Sequence, residues 1–524
     1  EDVISPDCLA AFLADVQQVR PRPSTCQVRR LLSILSPPLV LRGGLLTPLG
    51  LAQLLCSPSN SLIDPAKRPV FQDMTQPLSS YLIETSHNTY LEGNQLSSRS
   101  SVLRYVEVLR TGCRSVEVDV WDGADGEPVV KHGYTVTTEV LFEDVIGAIA
   151  DHAFVASEYP VIISIEQHCG ALQRIKQGKI MTRVLGDRLL KPPWDETTND
   201  IDIHRMQQVS PWSARGRFLV KSERGCCERC RNPLPMYDRC IALPSMKLTR
   251  SEKNALQHSA SEEDCLVPEP ARQACHVSSM TAGKVLKLRH AVGEESLRRW
   301  NSRYLSRAYP EGTMIASGNI DPLPLWLSGV QMVALNYQTP DRALLLNEGL
   351  FRSYNGGCGY VLKGAELLGK ATSSALRLSV RECRCRRLRL RICCGHRLPR
   401  PEAPQADCPE VLAAVGSSFI GPDVSSPLVV VGLEPGGQVS QTRPAANDGY
   451  HPVFNHDAEF TISEAPLHIL SFEVRDAPTG QPIARRAVSL DAVREGFRWL
   501  PLRSTLGNTV PHGGLLVFVE FQKK

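Results

Sequence analysis

Apolar positions in residues 1–70 recur at three- and four-residue intervals, as in CLAAFLADVQQV and QVRRLLSIL, which predicts helices. From Tyr81 the pattern changes to short β-rich runs bounded by Gly, Pro or polar residues: SYLIETS, RSVEVDVW, PVVKHG, PVIISIEQH and RFLVKS. Helical stretches separate them, and strands alternating with helices predict βα units and a parallel sheet. Residues 223–275 lose periodicity and gather Cys, Pro, Ser and charge, which reads as an exposed linker. Strand-like runs return in GTMIASG, VQMVALNYQ and GCGYVLK. Beyond about residue 375, runs such as SPLVVVGLE, AEFTIS, LHILSFEVRD and GLLVFVEFQ are separated by Gly, Pro and Asn turns, the signature of an antiparallel sandwich.

The 524 residues are 42% hydrophobic and 22% charged, which excludes a mainly disordered or collagenous chain. No apolar stretch approaches the roughly 20 residues that span a bilayer, so membrane contact is expected to be peripheral. With 59 basic and 55 acidic residues the net charge is +4, and no global field marks a nucleic-acid binder. The basic run from Arg381 to Cys394 alternates Arg with apolar residues or Cys, as a strand with one wet face does. The 17 cysteines are scattered without framework spacing, which points to a reducing cytosol. Cys226, Cys227, Cys230 and Cys240 form a loose group that matches no standard zinc module. The chain opens on Glu1 and reads as a fragment.

Polar residues collect where the early strands end. His87 and Asn88 follow SYLIETS, Glu117 and Asp119 lie in SVEVDVW, His132 closes PVVKH, and Glu166 closes PVIISIE. In a parallel barrel the loops after the strands open on one face, so these ends converge. Glu117 and Asp119 are two apart and point to one side of a strand. If that side is the interior, two carboxylates there need a compensating cation. With Glu166 and the amide oxygen of Asn88 they make an all-oxygen set, suited to a hard cation such as Ca2+. Two histidines beside it suggest acid–base chemistry on a phosphoryl or acyl group. The bland alternatives are that Glu117 and Asp119 pair with Arg114 or Lys131 and that Asn88 is a turn former.

QPLSSYLIETSHNTYLEGNQL, GCRSVEVDVWDG, KHGYTVTT and FVASEYPVIISIEQHC closely resemble the X region of eukaryotic phosphoinositide-specific phospholipase C. WLSGVQMVALNYQTPD and YNGGCGYVLK, with LSRAYP upstream, resemble its Y region. The resemblance implies a multidomain chain. Residues 1–70 would be an EF-hand-like helical segment, and the N-terminus of the fragment would fall within that region. Residues 75–222 and 276–370 would be the X and Y halves of an α/β split TIM barrel around a 223–275 linker, and 375–524 an antiparallel β-sandwich, the C2 domain. The implied activity is Ca2+-dependent hydrolysis of phosphatidylinositol phosphates, the 4,5-bisphosphate first among them, to diacylglycerol and inositol phosphates through a cyclic phosphodiester.

By position, Asn88, Glu117, Asp119 and Glu166 match the family's Ca2+ ligands, His87 the histidine that stabilises the transition state, and His132 the general acid. Glu117 is the candidate base. Lys221, Ser279, Arg307 and Tyr309 match substrate contacts, and Leu96, Tyr134 and Leu286 match the apolar membrane rim. Two departures stand out: Glu223 occupies a usual lysine position, and Val136 and Thr313 stand where larger aromatics are common. The loops PDVSSP, YHPVFNHD and RDAPTGQP leave Asp476 and Asp423 but no dense acidic cup, so a C2 domain with weak or Ca2+-independent membrane binding is expected. The partners implied are phosphoinositide lipids at a membrane surface and no nucleic acid, for a cytoplasmic, membrane-peripheral monomer, with room for an upstream protein activator that the sequence does not identify. The competing reading is a catalytically inactive relative that keeps the barrel as an inositol-phosphate-binding scaffold.

Overall fold

The runs from Tyr81 onward form β1 (Tyr81–Ser86), β2 (Ser115–Asp122), β3 (Val161–Gln167), β4 (Phe218–Ser222), β5 (Ile241–Pro244), β6 (Val277–Thr281), β7 (Leu305–Tyr309) and β8 (Met332–Leu335). The computed structural model describes residues 3–34, 41–42, 45–195, 200–201, 209–224, 235–258, 274–369, 385–400, 425–505 and 507–523. Neighbouring strands pair in parallel in the order β5-β4-β3-β2-β1-β8-β7-β6. A parallel bridge from Ser245 to Val277 joins β5 to β6, so the sheet closes as a near-barrel. These strands are buried on both faces almost throughout, so the polar positions of YLIETS and SVEVDV lie inside the fold and not on a wet face. Helices Val102–Arg110, Phe142–His152, Ala171–Leu185, Ala282–Val292 and Arg342–Phe351 connect or follow them.

Three sequence expectations change. Residues 223–275 are not wholly an exposed linker: Ile241–Pro244 is the buried fifth barrel strand, too short to show a period. GTMIASG is a turn-rich loop and not a strand, with Ser317 at a left-handed φ of 56°. The run PVVKHG does not supply a barrel strand either, because Pro128–Val130 pairs antiparallel with the end of β2. His132 therefore hangs from a hairpin arm on β2. Cys226, Cys227, Cys230, Asp423 and the Arg381–Arg384 part of the basic run lie outside the described residues.

Backbone contacts separate the chain into two compact units, Arg68–Leu376 and Glu1–Lys67 with Arg377–Lys524. In the second unit β9 (Cys385–His396), β10 (Pro427–Glu434), β11 (Gln438–Gln441), β12 (Val453–Thr461), β13 (Ile469–Asp476), β14 (Pro482–Ser489), β15 (Gly496–Arg503) and β16 (Thr509–Lys523) form an antiparallel sandwich in the order β11-β10-β13-β14-β15-β16-β9-β12. The basic run is β9: Leu388, Leu390 and Ile392 face the core, while Arg391 pairs with Asp457 and Arg389 faces Glu520. Helices Pro6–Asp15, Thr25–Ile34 and Pro48–Leu55 belong to this unit, and Leu9, Val28, Leu32, Leu46 and Leu54 make their shared core.

Candidate active site

The parallel neighbours β2 and β3 bring Glu117, Asp119 and Glu166 together, with one carboxylate oxygen from each lying within 4.8 Å of the others. Parallel register places Asp119 beside Glu166, and the two-residue pleat puts Glu117 on the same side as Asp119. Glu117 is 2% exposed. Its Oε2 accepts the Asn88 backbone N–H at 2.9 Å, and its Oε1 lies 2.6 Å from Nη2 of Arg307. Asn88 holds a left-handed φ of 39°, which asparagine tolerates better than most residues and which turns its N–H toward Glu117. Its amide Nδ2 donates to Gln95 Oε1 at 2.7 Å, so its own Oδ1 is left as the uncommitted acceptor.

Asp119 accepts from the Tyr90 hydroxyl through Oδ2 at 2.7 Å, but its Oδ1 is buried with no hydrogen-bond partner. Burial, and then the charges of Glu166 and Glu117, push its carboxyl well above the usual carboxylate range. Glu166 is the exposed member. A hydrogen bond from His168 at 3.1 Å holds it low, and His168 stacks on Trp121 at 4.0 Å between centroids. An orphaned buried oxygen among three convergent carboxylates, with an uncommitted amide oxygen beside them, fits a hard divalent cation such as Ca2+. Arg307 pairs with Glu117, and Lys221 feels both Glu117 and Glu166, two cations against three carboxylates.

The histidines are oriented by acceptors. His132 Nδ1 meets the Gln95 carbonyl at 2.7 Å, and a carbonyl only accepts, so Nδ1 carries a proton and Nε2 is the free ring nitrogen. His87 Nδ1 meets Asn336 Oδ1 at 3.0 Å, and Asn336 Nδ2 donates to Gly318 O, which fixes the amide orientation. Burial lowers the His87 pKa, and Arg307 lowers it further against the opposing pull of Glu117. Its ring lies parallel to that of Tyr309, with centroids 6.5 Å apart. Ser279 sits in register with Arg307 across β6 and β7, and its Oγ is buried without a partner.

Arg114 and Lys131 do not pair with the carboxylates. Arg114 donates to the backbone carbonyls of Leu109, Gly112, Cys113, Ala153, Ser157 and Tyr159, and Lys131 pairs with Glu139. Tyr90, Gln95, Asn336 and Ser317 shape the site and escaped the sequence reading, as did the Arg307–Glu117 pair. Gln95 alone joins Asn88, His132 and Ser317. The signal available was the presence of Tyr90 and Gln95 within the same motif as His87, but their roles depend on folded geometry. Of the rim residues, Tyr134 is 97% exposed, and Leu96 and Leu286 are also exposed. Val136 donates its N–H to Leu96 O, and Ile315 O accepts from Gln95 N, so exposed Val136 and Ile315 lie near Leu96.

Lys221 is buried, and burial followed by Arg307 brings its pKa down to about 8. A lysine with a depressed folded pKa destabilises the fold while charged. The penalty is present at neutral pH, falls as pH rises through about 8, and is gone above the unfolded value of 10.5. Lys221→Met should therefore melt at a higher temperature than the parent at pH 7, with the advantage shrinking by pH 10. Equal melting curves at both pH values would contradict the burial of a charged lysine.

Comparison with known proteins meets this geometry. Residues 74–224 match the X domain of phosphatidylinositol-specific phospholipase C, 254–366 its Y domain, and 386–495 a C2 domain. The chain belongs to the phosphatidylinositol-specific phospholipase C family. In that family's terms the X match contains β1–β4 and the Y match β6–β8, while β5 lies between them. The chain is 32% identical to mouse 1-phosphatidylinositol 4,5-bisphosphate phosphodiesterase delta-3 over 504 residues, 91% of this chain and 61% of that protein. It is 32% identical to the rat delta-1 protein, over 90% of this chain and 64% of the relative. Mouse inactive phospholipase C-like protein 2 is 30% identical over 91% of this chain and 43% of its own length. The chain thus spans about three fifths of the two phosphodiesterases. A crystal structure of S. officinalis PLC21 superposes with a TM-score of 0.78 at 26% identity, covering 99% of this chain and 66% of that one.

Proposed function

We propose that the chain is a Ca2+-dependent phosphoinositide phosphodiesterase that cleaves phosphatidylinositol phosphates, the 4,5-bisphosphate foremost, to diacylglycerol and inositol phosphates. The observation that carries this reading is the meeting of Glu117, Asp119 and Glu166 around an unpartnered Asp119 oxygen. These carboxylates and Asn88 would hold Ca2+, which would supply positive charge to a phosphoryl oxygen and acidity to a neighbouring hydroxyl. Glu117 takes the proton of the inositol 2-hydroxyl as that oxygen attacks phosphorus. His132, with Nδ1–H anchored on Gln95, delivers a proton from Nε2 to the departing diacylglycerol oxygen. It then withdraws a proton from the water that attacks phosphorus and opens the cyclic phosphodiester, while Glu117 returns its proton to the departing 2-oxygen. His87, anchored on Asn336, donates from its second ring nitrogen to the phosphoryl oxygens when the negative substrate favours the imidazolium.

Lys221, Arg307, Ser279 and Tyr309 hold the headgroup, and Arg307 also fixes Glu117. Leu96, Tyr134 and Leu286, extended by Val136 and Ile315, enter the membrane surface from the cytoplasmic side. Among the described residues no helix is long and apolar enough to cross a membrane, in keeping with peripheral binding. No nucleic acid partner is called for, and the chain acts as a monomer that an upstream protein activator can recruit.

Hydrolysis of phosphatidylinositol and of its 4,5-bisphosphate on vesicles, with Ca2+ or with chelator, tests this. Activity vanishing under chelation and returning on Ca2+ addition is the expected result, and undiminished activity under chelation would overturn it. A catalytically inactive scaffold is the second reading, favoured by exposed Glu223, whose carboxylate faces the same lysine that would meet a ring phosphate. Headgroup binding without turnover in Ca2+ would select it.

A further inference from the structure

Trp121 stands next to the end of β2, paired with Val129 on the hairpin arm that carries His132. Its indole touches two parts of the site at once. It stacks on the His168 ring, with centroids 4.0 Å apart and planes 11° off parallel. It also meets the Tyr134 ring at 87°, with centroids 5.2 Å apart. Gly133 passes so close that a Cβ there would fall 1.9 Å from Trp121 Cζ2, so only glycine lets the arm lie on the ring. The indole Nε1 is buried with no hydrogen-bond partner, so packing alone holds the ring.

Each contact lies behind a group of the site. The Glu166 side chain is 56% exposed, and the hydrogen bond it accepts from His168 Nε2 at 3.1 Å restrains it. The His168 N–H continues the ladder to Val120 O at 2.9 Å, which leaves the direction of the ring to the stack on Trp121. On the arm, the bonds to β2 end where Lys131 N–H meets Asp119 O at 3.2 Å, one residue before His132. Beyond that point His132 Nδ1 holds Gln95 O, the Thr135 and Thr137 hydroxyls donate to the His132 carbonyl, and Gly133 and Tyr134 rest on the indole. Tyr134 has a left-handed φ of 59°, unfavourable for a tyrosine, so contact and not backbone preference keeps it there.

We propose that Trp121 is a positioning residue, one ring that sets the His132 arm and the Glu166 carboxylate at a fixed separation. It lies behind both groups and takes no part in bond making. The inference rests on the proposed reaction, in which His132 is the acid and Glu166 a cation ligand. Partners standing behind a metal ligand are worth about 10–100-fold in metal affinity or activity. A displacement of about 1 Å at a reacting group costs on the order of 100-fold in rate.

The test compares the parent with Trp121→Leu, His168→Leu, Gly133→Ala and the Trp121→Leu/Gly133→Ala double variant. Each is measured by Ca2+ calorimetry, by kinetics on vesicles containing phosphatidylinositol 4,5-bisphosphate, and by its melting curve. His168→Leu should weaken Ca2+ binding about tenfold, with turnover recovered at saturating Ca2+. Trp121→Leu should weaken Ca2+ binding by a similar factor and also lower kcat about tenfold, a loss that saturating Ca2+ does not recover. Gly133→Ala drives a methyl into the indole and should lower kcat about tenfold in the parent, but by less than about twofold in the Trp121→Leu background, where the methyl has room. If Trp121→Leu does not fold, Trp121→Phe takes its place. A ring with only a structural role would lower the melting temperature and leave kcat and Ca2+ affinity of the folded variant within about twofold of the parent, which overturns the proposal. An equal cost of Gly133→Ala in both backgrounds overturns it too. A parent that neither binds Ca2+ nor turns over lipid overturns the proposed reaction and this inference with it, whereas an active parent with silent variants removes the positioning role alone.

Discussion

His132→Ala is expected to lower turnover of a phosphoinositide in vesicles by about 10²–10⁴-fold, the range for loss of a positioned general acid–base. The argument rests on one hydrogen bond. The Gln95 carbonyl fixes the Nδ1 proton, so Nε2 is the only ring nitrogen left for exchange with substrate. The loss should fall on kcat, because the headgroup contacts assigned to Lys221 and Arg307 remain. The ring is partly exposed and its backbone lies on a hairpin arm, so the melting temperature should move little. The check is steady-state kinetics of the variant beside its thermal melt. Activity within threefold of the parent, in a folded variant, would remove His132 from the mechanism.

Arg114→Leu is expected to cost the barrel more than about 4 kcal/mol, enough to unfold a domain of ordinary stability. Arg114 is fully buried and meets no carboxylate. Its guanidinium is spent on the carbonyls of Leu109, Gly112, Cys113, Ala153, Ser157 and Tyr159, so it ties the helix before β2 to the turn before β3. Leucine removes that donor from all six carbonyls; Leu109 O keeps the Gly112 N–H, but those with no second donor are left buried and unpaired, each a desolvation penalty. Denaturant unfolding should show the barrel transition displaced to much lower concentration, or no native barrel at all. A shift below about 1 kcal/mol would mean that water or relaxed backbone replaces the guanidinium.

The two arginines also show where a sequence reading stops. Glu117, Asp119 and Glu166 were legible as a group because two-residue spacing and strand ends obey local rules, and a parallel barrel sends such ends to one face. Which cation each carboxylate meets is not local. Arg114 is the nearest in sequence and points to backbone, whereas Arg307, far along the chain, lies on Glu117. Gln95 and Asn336 orient the histidines through contacts that leave no periodic trace. The strand Ile241–Pro244 was lost because four buried residues between polar segments resemble a linker, and its role appears only when Ser245 meets Val277 to close the sheet. The sandwich was the easier part. Its core positions alternate with solvent-facing ones along β10 and β13, a pattern that survives without any knowledge of the fold.

The central claim is that oxygens from separate strands share one divalent cation, and Ca2+ titration by calorimetry measures it without reference to catalysis. The chain should take up Ca2+ at a site whose affinity falls sharply in Asp119→Asn and in Glu166→Gln, both variants remaining folded. If both bind Ca2+ as tightly as the parent, or the parent binds none, the three carboxylates do not form the metal centre and the account is wrong.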